Sequence, residues 1–189
     1  MDGSKGSAAI AFEYAFIAEL ERRIPKAKPV VATIAVGNPH ESQFPLLVPL
    51  AREVARVGGA FGYHAYWPVD HGVSYLTHQW RWHAGRFAEM DDLFRREGIA
   101  IDWILSEGGP CGWNAATNEY NPAAGWRDPA CFNGDFEATL EDTLVYDGLL
   151  RTSPARVLGA TWFTIYGQGW EHFNLNAQQL ARLAQELTR

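Results

Sequence analysis

The stretch Ile101-Asp102-Trp103-Ile104-Leu105-Ser106-Glu107-Gly108-Gly109-Pro110 carries an apolar run straight into a carboxylate and then two glycines. A short apolar run bounded by turn residues predicts a strand buried on both faces, the kind found in parallel sheets. Parallel α/β barrels place their chemistry at the carboxyl ends of strands. Glu107 sits at such an end, where the glycines predict a turn, which makes it the first candidate for a functional residue. Its alternative reading is a capped or ion-paired structural carboxylate.

Three more runs of the same kind flank this one. Upstream lie Val30-Val31-Ala32-Thr33-Ile34-Ala35-Val36, ending at Gly37-Asn38-Pro39-His40, and residues 60–67, ending in His64-Ala65-Tyr66-Trp67-Pro68. Downstream, residues 157–165 end in Tyr166-Gly167-Gln168-Gly169-Trp170. Helical periodicity fills the intervals. Residues 7–24 put Ile10, Tyr14, Ile17 and Ile24 on one stripe. Ser42 is a candidate N-cap for a helix carrying Leu46, Leu47, Leu50, Val54 and Val57, which stops at Gly58-Gly59. Phe87, Met90, Leu93 and Phe94 mark a third helix, Phe136, Leu140, Leu144 and Val145 a fourth, and residues 176–187 a last one. This alternation predicts an α/β fold, a (βα)4 parallel sheet with a preceding helix, in one domain over residues 1–189 with 1–6 flexible. The longest irregular stretch, 108–134, is rich in Gly, Asn, Pro and Trp, and loops of that length are usually functional.

A chain of 189 residues is long enough for one sizeable core. Its net charge of −6 comes without a basic stripe, which argues against nucleic acid as a partner. No apolar run is long enough to span a membrane and no signal-peptide pattern opens the chain; the expectation is a soluble protein of undetermined compartment. Aromatics are abundant, with eight tryptophans, ten phenylalanines and seven tyrosines. Several tryptophans fall in loop-like stretches (Trp67, Trp80, Trp82, Trp113, Trp126, Trp170), where they fit flat stacking surfaces for sugars or, equally, core residues covering a barrel mouth.

Cys111 and Cys131 either form a disulfide, closing a loop of about 20 residues for roughly 3 kcal/mol, or remain free thiols. His40, His71, His78 and His83 match no metal-ligand spacing, so no metal or other cofactor is expected. Alternation puts His64 and Tyr66 on one face of their strand, able to hydrogen-bond a carboxylate or a sugar hydroxyl; a satisfied core histidine is the competing reading for His64. Asn38, at a strand end, is a candidate for binding a hydroxyl. No phosphate-cradling glycine motif and no nucleophile elbow around Ser106 is present.

The succession Gly37-Asn38-Pro39, Gly62-Tyr63-His64-Ala65-Tyr66-Trp67, Ile104-Leu105-Ser106-Glu107-Gly108-Gly109 and Gly159-Ala160-Thr161-Trp162-Phe163-Thr164 resembles strands five to eight of a (β/α)8 retaining glycoside hydrolase. The similar clan includes cellulases and β-xylosidases. The resemblance implies a half barrel in which Glu107 is the nucleophile, His64 or Tyr66 stands beside it, and Trp162 floors the sugar site. With the candidates above, the substrate-binding set is Asn38, His64, Tyr66, Trp67, Trp113, Trp126, Trp162 and Trp170. The clan's acid/base ends the fourth strand, and the first helix here resembles the helix that follows it. The expectation is therefore an N-terminal half elsewhere, another partner, or a homodimer that closes the barrel. Within the chain Glu41, Asp70, Glu119, Asp128 and Glu171 are substitutes for the second carboxylate, or solvated surface groups. The implied ligand is a β-linked carbohydrate, hydrolysed or simply bound; a structural or assembly half barrel is the remaining class.

Overall fold

A computed structural model describes residues 3–114, 119–121, 124–163 and 167–188, with the side chains of residues 3–5, 113, 114 and 120 outside the description. Helix α1 (Gly3–Arg23) leads into β1 (Val30–Ile34), a 3-10 turn over Glu41–Leu47, α2 (Val48–Arg56) and β2 (Ala60–Asp70). There follow β3 (Val73–Ser74), α3 (Arg86–Arg96), β4 (Asp102–Asn114), β5 (Glu119–Asn121), α4 (Phe136–Thr152), β6 (Arg156–Ala160) and α5 (Ala177–Leu187). Strands β1, β2, β4 and β6 are parallel and adjacent in chain order, as the alternation of strand and helix patterns predicts. β3 and β5 are short antiparallel additions near the carboxyl ends of β2 and β4. The chain is an α/β protein built on a parallel sheet.

Alternation along β2 decides which side is core. Phe61, Tyr63, Ala65, Trp67 and Val69 are fully buried, as are Trp103 and Leu105 of β4. α3 covers this face. Its Phe87 and Phe94 stand 5.5 and 6.3 Å from the Trp103 ring, and Phe61 stands 5.5 Å from both Trp103 and Phe94. α4 adds Tyr146, stacked 4.8 Å from Trp67. Each such aromatic ring removed from water contributes roughly 1.5–3 kcal/mol. The opposite face carries Gly62, His64, Tyr66 and Glu107, and these last three side chains are only partly buried. Gly62 is required there, because a Cβ would fall 2.7 Å from Thr33 Oγ1 on β1.

Several boundaries differ from the sequence reading: β1 ends at Ile34 rather than Val36, β2 runs on past Trp67 to Asp70, and β6 stops at Ala160, well short of residue 165. The helix after β1 is capped by His40 rather than Ser42: the His40 side chain accepts from the Ser42 N–H, and Gln43 closes the box by reaching back to the His40 N–H. α1 begins at Gly3, ahead of the start read from periodicity. β4 does not turn at Gly108-Gly109 but continues, pairing with β2 as far as Val69↔Gly112. Gly109 makes this possible with φ +149, a region closed to ordinary side chains. Part of the long irregular stretch is thus strand. Thr164, Ile165 and Tyr166, at the expected end of the fourth strand, lie outside the described residues.

Candidate active site

Glu107 owes its direction to a bulge. The β2–β4 register runs Tyr63↔Leu105 and then His64↔Glu107, so Ser106 is an extra residue on β4. Without it, alternation would send Glu107 to the helix-covered face after Leu105; the inserted residue returns it to the open face beside His64. The segment after β6 clamps the bulge. The Thr161 N–H donates to Leu105 O at 2.8 Å, the Thr161 hydroxyl bonds Ser106 O, and the Phe163 N–H donates to Gly108 O at 2.8 Å.

The Tyr66 hydroxyl donates to Glu107 Oε2 at 2.9 Å, and His64 Nδ1 lies 3.3 Å from the same oxygen. Both contacts fall on Oε2, which leaves Oε1 without a protein partner among the described residues. Burial, and then the hydrogen bond and negative charge of Glu107, push the Tyr66 phenol far above its usual range, so it remains a donor at any ordinary pH. These three side chains line a pocket of about 280 Å³. Ala35 and Val36 bound it past the end of β1, and Phe163 and Trp170 form an aromatic wall with rings 5.0 Å apart, edge to face. Cys111 contributes the remaining surface.

Of the residues singled out in the sequence, Glu107, His64, Tyr66 and Trp170 come together here. Trp67 does not: the alternation that aims Tyr66 at the pocket aims its neighbour into the core, where Trp67 Nε1–H donates to Asp142 at 2.5 Å. Trp126 is also fully buried, donating to Phe173 O at 3.1 Å beneath the Arg127 guanidinium. Trp162 packs partly buried against the core, its ring 3.8 Å from where a Gly109 Cβ would stand. Asn38 lines a separate cleft between α1 and β1. The Trp113 side chain lies outside the described residues.

None of the substitute carboxylates lines the pocket. Glu41 faces Arg86 at 3.9 Å, Asp70 faces His71 at 3.9 Å, and Asp128 accepts from the Ala130 N–H. Glu171, held below the usual carboxylate range by the Gly169 N–H, stays at the surface, and Glu119 is exposed. Among the described residues Glu107 is the pocket's one carboxylate. Sequence reasoning missed Phe163 and Cys111. Alternation beyond Thr161 is the only local signal that reaches the first.

Among the described residues no three His, Cys, Asp or Glu side chains gather as a metal site. Cys111 and Cys131 are free, buried thiols. Burial pushes Cys131 up to about 12, with Asp142 and Asp128 adding to the rise, and pushes Cys111 well above the thiol range, with Cys131 beside it adding to the rise. Thiolate is the reactive form. At pH 8 the folded chain should therefore react with a disulfide reagent about a hundredfold or more slower than a free thiol. In denaturant, two equivalents should react at once; fast labelling of the native chain would contradict this burial.

No protein-family model, curated protein or solved structure matches the chain. Among the described residues no helix is long and apolar enough to cross a membrane.

Proposed function

We propose that the chain is half of a (β/α)8 barrel whose Glu107 pocket takes a β-linked glycoside, with Glu107 as the attacking carboxylate. One observation carries this reading: the bulge at Ser106 aims a carboxylate into an aromatic-walled pocket, where Tyr66 and His64 hold one oxygen and the other has no partner among the described residues. In a retaining reaction that free oxygen attacks the anomeric carbon as the bond to the leaving oxygen breaks. Tyr66 and His64 fix the carboxylate's orientation, and Phe163 and Trp170 offer flat surface to a sugar ring.

The same chemistry requires a second carboxylate about 5–5.5 Å away to protonate the leaving oxygen. The pocket has one. An unactivated glycoside therefore needs an acid from outside the described residues, whereas a leaving group that departs as a stable anion does not. No cofactor enters the scheme.

The test follows from that difference. A dinitrophenyl β-glycoside carrying fluorine beside the anomeric carbon should release dinitrophenolate and leave one glycosyl unit on Glu107, detected by intact and peptide mass spectrometry. Glu107→Gln should gain no mass. Reversible sugar binding with no adduct, equal in wild type and Glu107→Gln, would make the pocket a non-catalytic carbohydrate site. Absence of both adduct and binding would leave a structural half barrel.

A further inference from the structure

β1 and β6 are the outer strands of the parallel set, and each pairs on one side only among the described residues. Such strands present unpaired N–H and C=O groups along the free side. The chain treats its two edges differently. Along β1 runs a cleft of about 450 Å³ between α1 and the Glu41–Leu47 turn, walled by Ile10, Leu46 and Leu47 and floored by residues 32–35, which begin at an irregularity in β1 where Ala32 has φ +48 and run one residue past its end at Ile34. Within it, the Ala32 N–H donates to Glu13 Oε1 at 3.0 Å. A side-chain carboxylate from α1 thus takes a strand donor where a neighbouring strand would supply a carbonyl.

β6 is bare. Four of its five residues are exposed, and Leu158 keeps 59% of its surface in solvent. Its run Val157-Leu158-Gly159-Ala160 is apolar, matching the lining of the β1 cleft. β1 and β6 are both five residues long and point the same way. Val30, Ala60, Asp102 and Arg156 lie in one row of the sheet, so the two strands start level.

We propose that the β1 cleft receives β6 of a second copy of this chain as an added parallel strand. Glu13 gives up the Ala32 N–H when that strand enters. A two-fold pair makes this contact twice, each β6 entering the other copy's cleft, and no free edge remains. Eight parallel strands result, the number a small closed barrel fills with side chains. The face bearing Glu107 then turns inward. The inference stands on the strand edges and not on the glycoside reading, since neither edge contains a residue of the Glu107 pocket other than Ala35.

Sedimentation equilibrium on the full chain, without sugar, tests it. The expected mass is twice 21.1 kDa in the micromolar range. Leu158→Lys and Leu46→Lys replace side chains that are 59% and 56% exposed in the single chain. Far-UV circular dichroism should therefore be unchanged, while each weakens association by about tenfold or more, the equivalent of about 1.4 kcal/mol per decade. Glu13→Ala, which removes the competing acceptor, should tighten it. A wild-type monomer throughout that range would overturn the proposal. So would a dimer that neither lysine variant weakens, because its interface would lie elsewhere.

Discussion

Replacing Trp103 with alanine should leave the chain largely unfolded at room temperature. The side chain is fully buried and central to a cluster in which Phe61, Phe87 and Phe94 all lie within 6.3 Å of its ring. Removing a buried aromatic of this size costs about 3–5 kcal/mol, because the rings around it relax only partly into the space. A second loss adds to the first. Trp103 Nε1–H donates at 2.9 Å to Asp91 Oδ1, and Asp91 is 2% exposed. Alanine leaves that carboxylate with Arg95 alone, and a buried acceptor stripped of a donor costs about 1–3 kcal/mol more. The total reaches the lower end of the roughly 5–15 kcal/mol by which folded domains are stable. Trp103→Phe separates the two losses, keeping most of the packing and deleting the donor, and should cost only roughly 1–3 kcal/mol. Thermal unfolding followed by circular dichroism reads both. A Trp103→Ala melting point within a few degrees of wild type would mean that this cluster does not carry the core.

The same strand shows how far the sequence could be read. Four apolar runs and their intervening helical stripes specify a parallel sheet, because apolar side chains on both faces of a strand favour a covered position; the fourth run, β6, departs from this, with four of its five residues exposed. The direction of each side chain along β2 was legible too. Alternation that joins His64 to Tyr66 must send Trp67 the other way, so assigning Trp67 to the site followed its loop-like surroundings when its parity pointed to the core. Trp126 fails for a related reason: composition marks it as a loop tryptophan, and nothing local reveals that Phe173 O and Arg127 enclose it. The bulge at Ser106 was not legible at all. It is a property of register between β2 and β4, and Ser106 looks like any other strand residue until Tyr63↔Leu105 gives way to His64↔Glu107. The nomination of Glu107 therefore rested on its strand-end position, while its actual presentation depends on a pairing irregularity and on Thr161, more than fifty residues away, which bonds the bulged carbonyls.

Asp142 should tie stability to pH in a direction opposite to most paired carboxylates. Burial raises its pKa, only partly offset by hydrogen bonds from Ser74 and Trp67, which reach Oδ2 at 2.9 and 2.5 Å. A carboxyl whose folded pKa lies above its unfolded value binds more protons in the folded state across that interval. Stability therefore falls as pH rises from the ordinary carboxylate value, about 4, through the raised one. Asp91 is shifted the same way, chiefly by burial. His83 opposes them: burial, with Arg86 beside it, pushes it down to about 4, so its contribution grows as pH rises from there toward its ordinary value. Asp142→Asn removes one titration and leaves the other two. With the amide oxygen standing where Oδ2 stands, it can still accept from both Trp67 and Ser74. Urea unfolding of both proteins between about pH 4 and 8 should therefore show the variant gaining on wild type as pH rises and then holding a constant lead. Asp142→Ala should instead be destabilised at every pH by about 2–4 kcal/mol, since two donors lose their acceptor and each orphaned group costs about 1–3 kcal/mol. A difference between Asp142→Asn and wild type that does not change with pH would show that Asp142 keeps its ordinary acidity.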